Sequence, residues 1–189
     1  MHDIEPYSAW RNHYRSEKDY HSPFFGREYS AYICSNAIYG YYIHPQWDEF
    51  GSDTLYIKIL YADYERNAAI IELFGEWNDT LYNDVMFLKR NVLEILMESG
   101  INKFLLIGDN VLNFHASDEL YYEEWFDEVE DGWIVGLNFR DHIRDEMNTY
   151  RIDYYILTGD MFNNFDWRTY HPKRLLETVE AKIFKKLAP

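Results

Sequence analysis

The stretch Phe104 to His115 constrains this chain more than any other, because the apolar run Phe104-Leu105-Leu106-Ile107 gives way at Gly108-Asp109-Asn110 to polar, turn-prone residues. A run of about four to eight apolar residues is either a buried strand or a piece of buried helix, and its neighbours decide between them. Before it, Val85, Leu88, Val92, Ile95 and Leu96 recur at three-to-four spacing, widened by Met86, Leu93 and Met97. That stripe marks an amphipathic helix, and Gly100 suits the residue just past its end. After it, Leu120, Tyr121, Trp125, Phe126 and Val129 form a second helical face, with Ser117 available as N-cap. Helix, short apolar run, helix is the pattern of parallel-sheet units. The run therefore reads as a central strand running into a loop. In open sheets of this kind ligands sit beyond the carboxyl ends of the strands, which brings forward Asp109, Asn110, Asn113 and His115.

The same reasoning extends along the chain. Leu55 to Ala62 and Ala68 to Trp77 are β segments joined by the hairpin residues Asp63 to Asn67, the second more continuously apolar and so more central. Trp133 to Phe139 reads as a strand, Arg140 to Tyr150 as a helix through Ile143 and Met147, and Ile152 to Leu157 as a last strand. Pro172 opens a terminal helix whose stripe is Leu175, Val179, Ile183 and Leu187. Its Lys173, Arg174, Lys182, Lys185 and Lys186 suit acids of its own body or of a second copy. Residues 1 to about 28 are expected to form an irregular arm with a helical turn near Tyr7 to Tyr14 and a turn at Ser22 to Gly26. That arm either folds back or reaches another subunit. Glu28 to Ser35 and Ile38 to Ile43 read as an aromatic hairpin, and His44 to Asp53 as a loop with Trp47 tucked against the body.

The expected fold class is α/β: a mixed sheet with antiparallel aromatic N-terminal strands and a β-α-β-α-β-α-β portion with flanking helices. Residues 1–189 are read as a single domain, with 1–54 as aromatic arm and hairpin, 55–160 as the α/β core, and 161–189 as an aromatic loop and basic helix. A hydrophobic fraction of 47% and an aromatic fraction of 19% are ample for a core.

The formal net charge of -15 repels phosphate backbones and anionic bilayers, so neither nucleic acid nor membrane is an expected partner. The start lacks the basic and apolar blocks of a signal peptide, and no apolar run approaches a membrane span, which points to the cytoplasm. The single cysteine, Cys34, cannot form an internal disulfide and reads as a core thiol rather than a nucleophile.

Two functional readings follow. Asp118 to Asp131 holds eight acids among fourteen residues, either as a solvated face or as a docking surface for a basic partner, with Tyr121, Tyr122, Trp125 and Phe126 supplying area. The strand ends would present Glu76, Asn78 and Asp79; Asp109, Asn113 and His115; Asn138, Arg140 and Asp141; and Asp160. A hard cation held there by Asp79, Asp109 and His115 would make a metal-assisted small-molecule hydrolase. No compact metal motif, phosphate-cradling glycine run or serine elbow is present, and no cofactor is expected.

From about Ala68 to Leu157 the pattern resembles the STAS domain of anti-sigma-factor antagonists and sulfate transporters. The matching pieces are Ile71-Glu72-Leu73-Phe74-Gly75-Glu76-Trp77, then Phe104 to Asp109, Val111 to Leu120, and Trp133 to Phe139. The resemblance implies a non-enzymatic module that binds a protein partner under control of phosphorylation at a helix start, where Ser117 would fall. Here that segment reads Ala116-Ser117-Asp118-Glu119, with carboxylates where a phosphate would add charge. The leading expectation is a regulatory protein-interaction module docking through the acidic aromatic helix and a strand-end crevice at Asp109, Asn113, His115, Ser117, Asp118 and Glu119. A homo-oligomer built through the arm or the basic helix is a further possibility.

Overall fold

The computed structural model describes residues 2–30 and 36–187. Its centre is a mixed four-stranded sheet in the order β4-β5-β6-β7, comprising Leu55–Asp63, Ala68–Asn78, Lys103–His115 and Trp133–Leu137. The hairpin pair β4 and β5 is antiparallel; β5, β6 and β7 run parallel. The expected class, α/β with a mixed sheet, is the one observed. Alternation sorts the core into two faces. Ile57, Ile71, Phe104 and Leu106 pack under the helices α1 (Asp84–Leu88), α2 (Glu94–Glu98), α3 (Leu120–Glu128) and α4 (Asp141–Thr149). Leu60, Ile70, Leu105 and Ile107 pack under the terminal helix α5 (Pro172–Leu187) and the N-terminal arm.

Three strands differ from expectation. β6 does not give way to a loop after the apolar run but continues to His115, still paired to β5 through Asn78. Leu73 faces Gly108 and Asp109 together, and a second shift leaves Leu112 unmatched, so two bulges absorb the extra residues. Val111 and Phe114 keep the stretch anchored in the core while its polar residues make it look like a loop. The expected strand Ile152 to Leu157 is a 3-10 turn, Ile152–Tyr154, followed by a single bridge from Leu157 to Val135. Glu28 to Ser30 lie outside any strand, and residues 31–35, including Cys34, lie outside the described residues.

The hairpin that does form is smaller: β2 (Ala37–Ile38) and β3 (Tyr41–Ile43) joined by Tyr39 and Gly40. Both turn residues have positive φ, 48° and 84°, as a tight two-residue hairpin of this hand requires. β1 (His2–Ile4) adds in parallel to β3, and this small sheet covers Tyr56 and Phe74 beyond the reach of α5.

The arm folds back on its own body. The Tyr7 backbone N–H donates to Glu72 at 2.8 Å, the Trp10 indole to the Tyr170 carbonyl at 3.0 Å, and the Trp47 indole to the Ile4 carbonyl at 2.7 Å. α5 also lies against its own chain, through Arg66–Glu177 at 2.7 Å, Lys103–Glu180 at 2.8 Å and Lys173–Asp63 at 3.7 Å. Among the described residues no helix is long and apolar enough to cross a membrane.

Candidate functional site

The continuation of β6 scatters the strand-end residues that a loop would have gathered. Asp109 lies at the first bulge, just past the end of β7. It accepts from the Asn138 side chain at 3.1 Å and from the Trp167 indole at 2.6 Å. With Arg140, Asp141 and Arg168 it lines an open cleft of about 740 Å³. His115 sits six residues further on, roughly 20 Å along an extended strand, beside Asn113 at 3.0 Å and Glu76 at 3.5 Å. Asp79 faces the helix layer. It is 4% exposed and accepts from the Tyr122 hydroxyl, the Trp77 indole and the Val85 backbone. Burial pushes its carboxyl up to about 6. Asp79, Asp109 and His115 are therefore not within reach of one ion, and the hydrolase reading loses its geometry.

Sequence reasoning passed over Glu72, the acid beside Asp109. It is fully buried on the arm side of β5 and accepts from Tyr7 N at 2.8 Å and from Asn110 at 3.3 Å, with the Arg168 guanidinium 3.6 Å away. Burial pushes it up to about 7, helped by the negative charge of Asp109 and opposed by Tyr7, Arg168 and Asn110. A charge set between Ile71 and Leu73 was the visible signal.

α3 turns its ring-bearing face inward more than a docking surface allows. Tyr122 and Trp125 have no exposed surface, and Tyr121 is half-buried against the core, so these three are not the anchors expected. Ser117 is exposed but is not the N-cap; the helix begins at Leu120, whose N–H is taken by the Asp118 carboxylate at 3.1 Å. What remains outside is the acidic edge with Phe126, which is 40% exposed. Phe126 meets Tyr154 and Tyr155 with ring centroids 6.0 and 5.8 Å away. Tyr154 is 71% exposed, and Leu120 and Tyr150 are exposed as well.

A shallow groove runs beside these rings. One stretch is lined by Glu119, Arg151, Asp153 and Tyr154, the next by Ser117, Asp118, Glu119 and Tyr150. Glu119 and Arg151 belong to both, so the two are continuous. Burial and then the charges of Glu119 and Glu123 push the Tyr155 hydroxyl up. Tyr150, Arg151 and Tyr154 were missed because their segment reads as helix end and strand, whereas the 3-10 turn throws their side chains outward.

No protein-family model matches this chain, and no curated protein matches it. A solved structure similar to it is that of the anti-sigma factor antagonist SpoIIAA in its unphosphorylated form, with 9% identity, a TM-score of 0.45, and coverage of 66% of this chain and 96% of that one. This is a weak STAS-like resemblance in the arrangement of strands and helices, and it carries nothing about activity or partner.

Proposed function

We propose that this protein is a non-enzymatic protein-interaction module that docks a basic partner on the outer edge of α3. The observation that carries this reading is the pair of exposed rings, Phe126 and Tyr154, in contact with each other, with Glu119 and Asp153 lining the groove beside Tyr154. Adjoining exposed aromatic surface is costly to leave in water, and rings of this type supply most of the contact energy where partners meet. Glu119, Glu123 and Asp127, whose charges act on the adjoining Tyr155 hydroxyl, would set the sign of the partner, since complementary charge speeds encounter and rejects like-charged competitors. The groove at Ser117 to Glu119 would receive an extended segment of the partner, and Arg151 would fix its register.

The test is affinity capture from the source cell extract with three baits: wild type, Phe126→Ser/Tyr154→Ser, and Glu119→Gln/Glu123→Gln/Asp127→Asn. The expected result is a protein with a basic surface retained by wild type and lost from both variants, with salt weakening capture. Capture of the same proteins by all three baits, or of none by wild type, would overturn the reading.

A further inference from the structure

The N-terminal arm does more than cover the sheet. Between it and β4 lies a cavity of about 230 Å³. At about 30 Å³ per water, that is room for about eight waters or a molecule of about that many non-hydrogen atoms. One wall is carbon. Trp10, Tyr14 and Leu60 contribute to it, and the polar tips of both rings are engaged elsewhere: the Trp10 indole on the Tyr170 carbonyl at 3.0 Å and the Tyr14 hydroxyl on Asp19 at 2.7 Å.

The other wall holds more donors than acceptors. Arg11 is spent on Gln46 at 2.6 Å and on Glu17 at 2.8 Å, and Lys58 on Asp48 at 3.0 Å. Arg15 is not. Its Nε–H donates to the Arg11 carbonyl at 3.1 Å, and neither of its Nη groups has a hydrogen bond or ion pair among the described residues. The amide N–H2 of Gln46 is likewise without a partner there, its oxygen being taken by Arg11. A guanidinium with unpaired Nη groups in the wall of a half-apolar cavity is a place for an anion.

We propose that this cavity binds a small organic carboxylate, its oxygens on Arg15 and the Gln46 amide, and its short apolar part against Trp10, Tyr14 and Leu60. A carboxylate fits better than a phosphate for two reasons. The ring wall rewards an apolar tail that phosphate lacks, and Glu5 and Glu17, also in the wall, oppose a second negative charge. This site lies on the arm side of the sheet and α3 on the other, so it stands or falls independently of the docking surface.

The test is isothermal titration and thermal shift of the full chain with sodium benzoate and sodium butyrate, with sodium chloride and inorganic phosphate as controls. Binding at about millimolar strength or tighter is expected for at least one carboxylate, with a raised melting temperature. Arg15→Gln should weaken it by about tenfold or more, Arg15→Lys should retain part of it, and phosphate at equal concentration should give no shift. If Arg15→Gln does not fold, Gln46→Leu takes its place, with a severalfold loss expected. No binding of either carboxylate at about 10 mM, unchanged binding in the folded variant, or an equal shift with phosphate would overturn the proposal.

Discussion

Among the carboxylates, Glu72 is the one whose ionisation the fold opposes most visibly. It stands on a central strand, its carboxylate covered by the arm, and its pKa is pushed from 4.5 to about 7. Between those values the folded chain holds a proton that the unfolded chain has released. Folding then takes up a proton, and raising the pH works against it. The stability that the neutral acid contributes is complete below about pH 4.5, falls as the pH rises towards about 7, and is gone above that. A shift from 4.5 to about 7 corresponds to something on the order of 3 kcal/mol. Asp79, pushed from 3.8 to about 6, adds a decline of the same sign at lower pH. Urea midpoints measured from pH 5 to 8 should therefore fall in wild type. In Glu72→Gln the part of the fall above about pH 6 should vanish, and an unchanged slope there would show that Glu72 is ionised when folded.

At the scale of elements, the rod from Asp84 to Glu98 shows how a regular pattern can conceal an irregular function. Its middle, Lys89–Leu93, is a π turn. Such a turn bonds residue i to i+5, so residues five apart come to the same side. Lys89 and Glu94 stand in that relation, 2.9 Å apart, and Glu124 at 3.2 Å and Glu128 at 2.9 Å complete three carboxylates around one fully buried ammonium. Burial alone would lower the Lys89 pKa; the carboxylates of Glu128, Glu94 and Glu124 outweigh it and raise the group above its ordinary value. Lys89→Met would leave three acids facing one another, and since they are partly exposed the expected loss is about 1–3 kcal/mol in urea unfolding. Adding Glu128→Gln should return about 1 kcal/mol, whereas an unchanged midpoint in Lys89→Met would show that the cluster is ornamental. The sequence carried this helix as far as its ends. Gly100, at φ 94°, closes it with Gly100 N on Met97 O and Ile101 N on Leu96 O, the pattern a C′ glycine makes. It did not carry the π turn, because the stripe Val85, Leu88, Val92, Leu96 stays buried through it. β6 was misread for a related reason: Asp109, Asn110 and Asn113 favour turns locally, but ten residue pairs with β5 from Ala68 to Asn78 override that preference. The candidate site was half legible. The acids and Phe126 of α3 were visible, while Tyr154 depends on a turn set by packing rather than by local composition.

For the whole molecule, the open matter is whether arm, core and terminal helix form one folding unit. We propose that they do, on the contacts between them. Trp10 belongs to the first segment, yet its ring lies 5.4 Å from that of Trp167 in the last, and both pack on Leu105 and Ile70 of the core sheet. Trp47 lies 5.3 Å from Phe74, and Arg66 of the hairpin turn holds Glu177 of α5. Removing any one segment would expose apolar surface of the other two, and that mutual dependence is what makes unfolding cooperative. Tryptophan fluorescence and far-ultraviolet circular dichroism should therefore trace the same urea transition, since indoles sit in all three segments at Trp10, Trp47, Trp77, Trp125 and Trp167. Trp10→Ala should move both traces together, by about 3–5 kcal/mol for the loss of a buried indole. If the arm were a separate unit, that variant would shift fluorescence alone and leave the helical signal at its wild-type midpoint. The chain would then have to be read as a core that stands without its N-terminal third, and the Arg15 cavity as a feature of the arm's docking rather than of the fold.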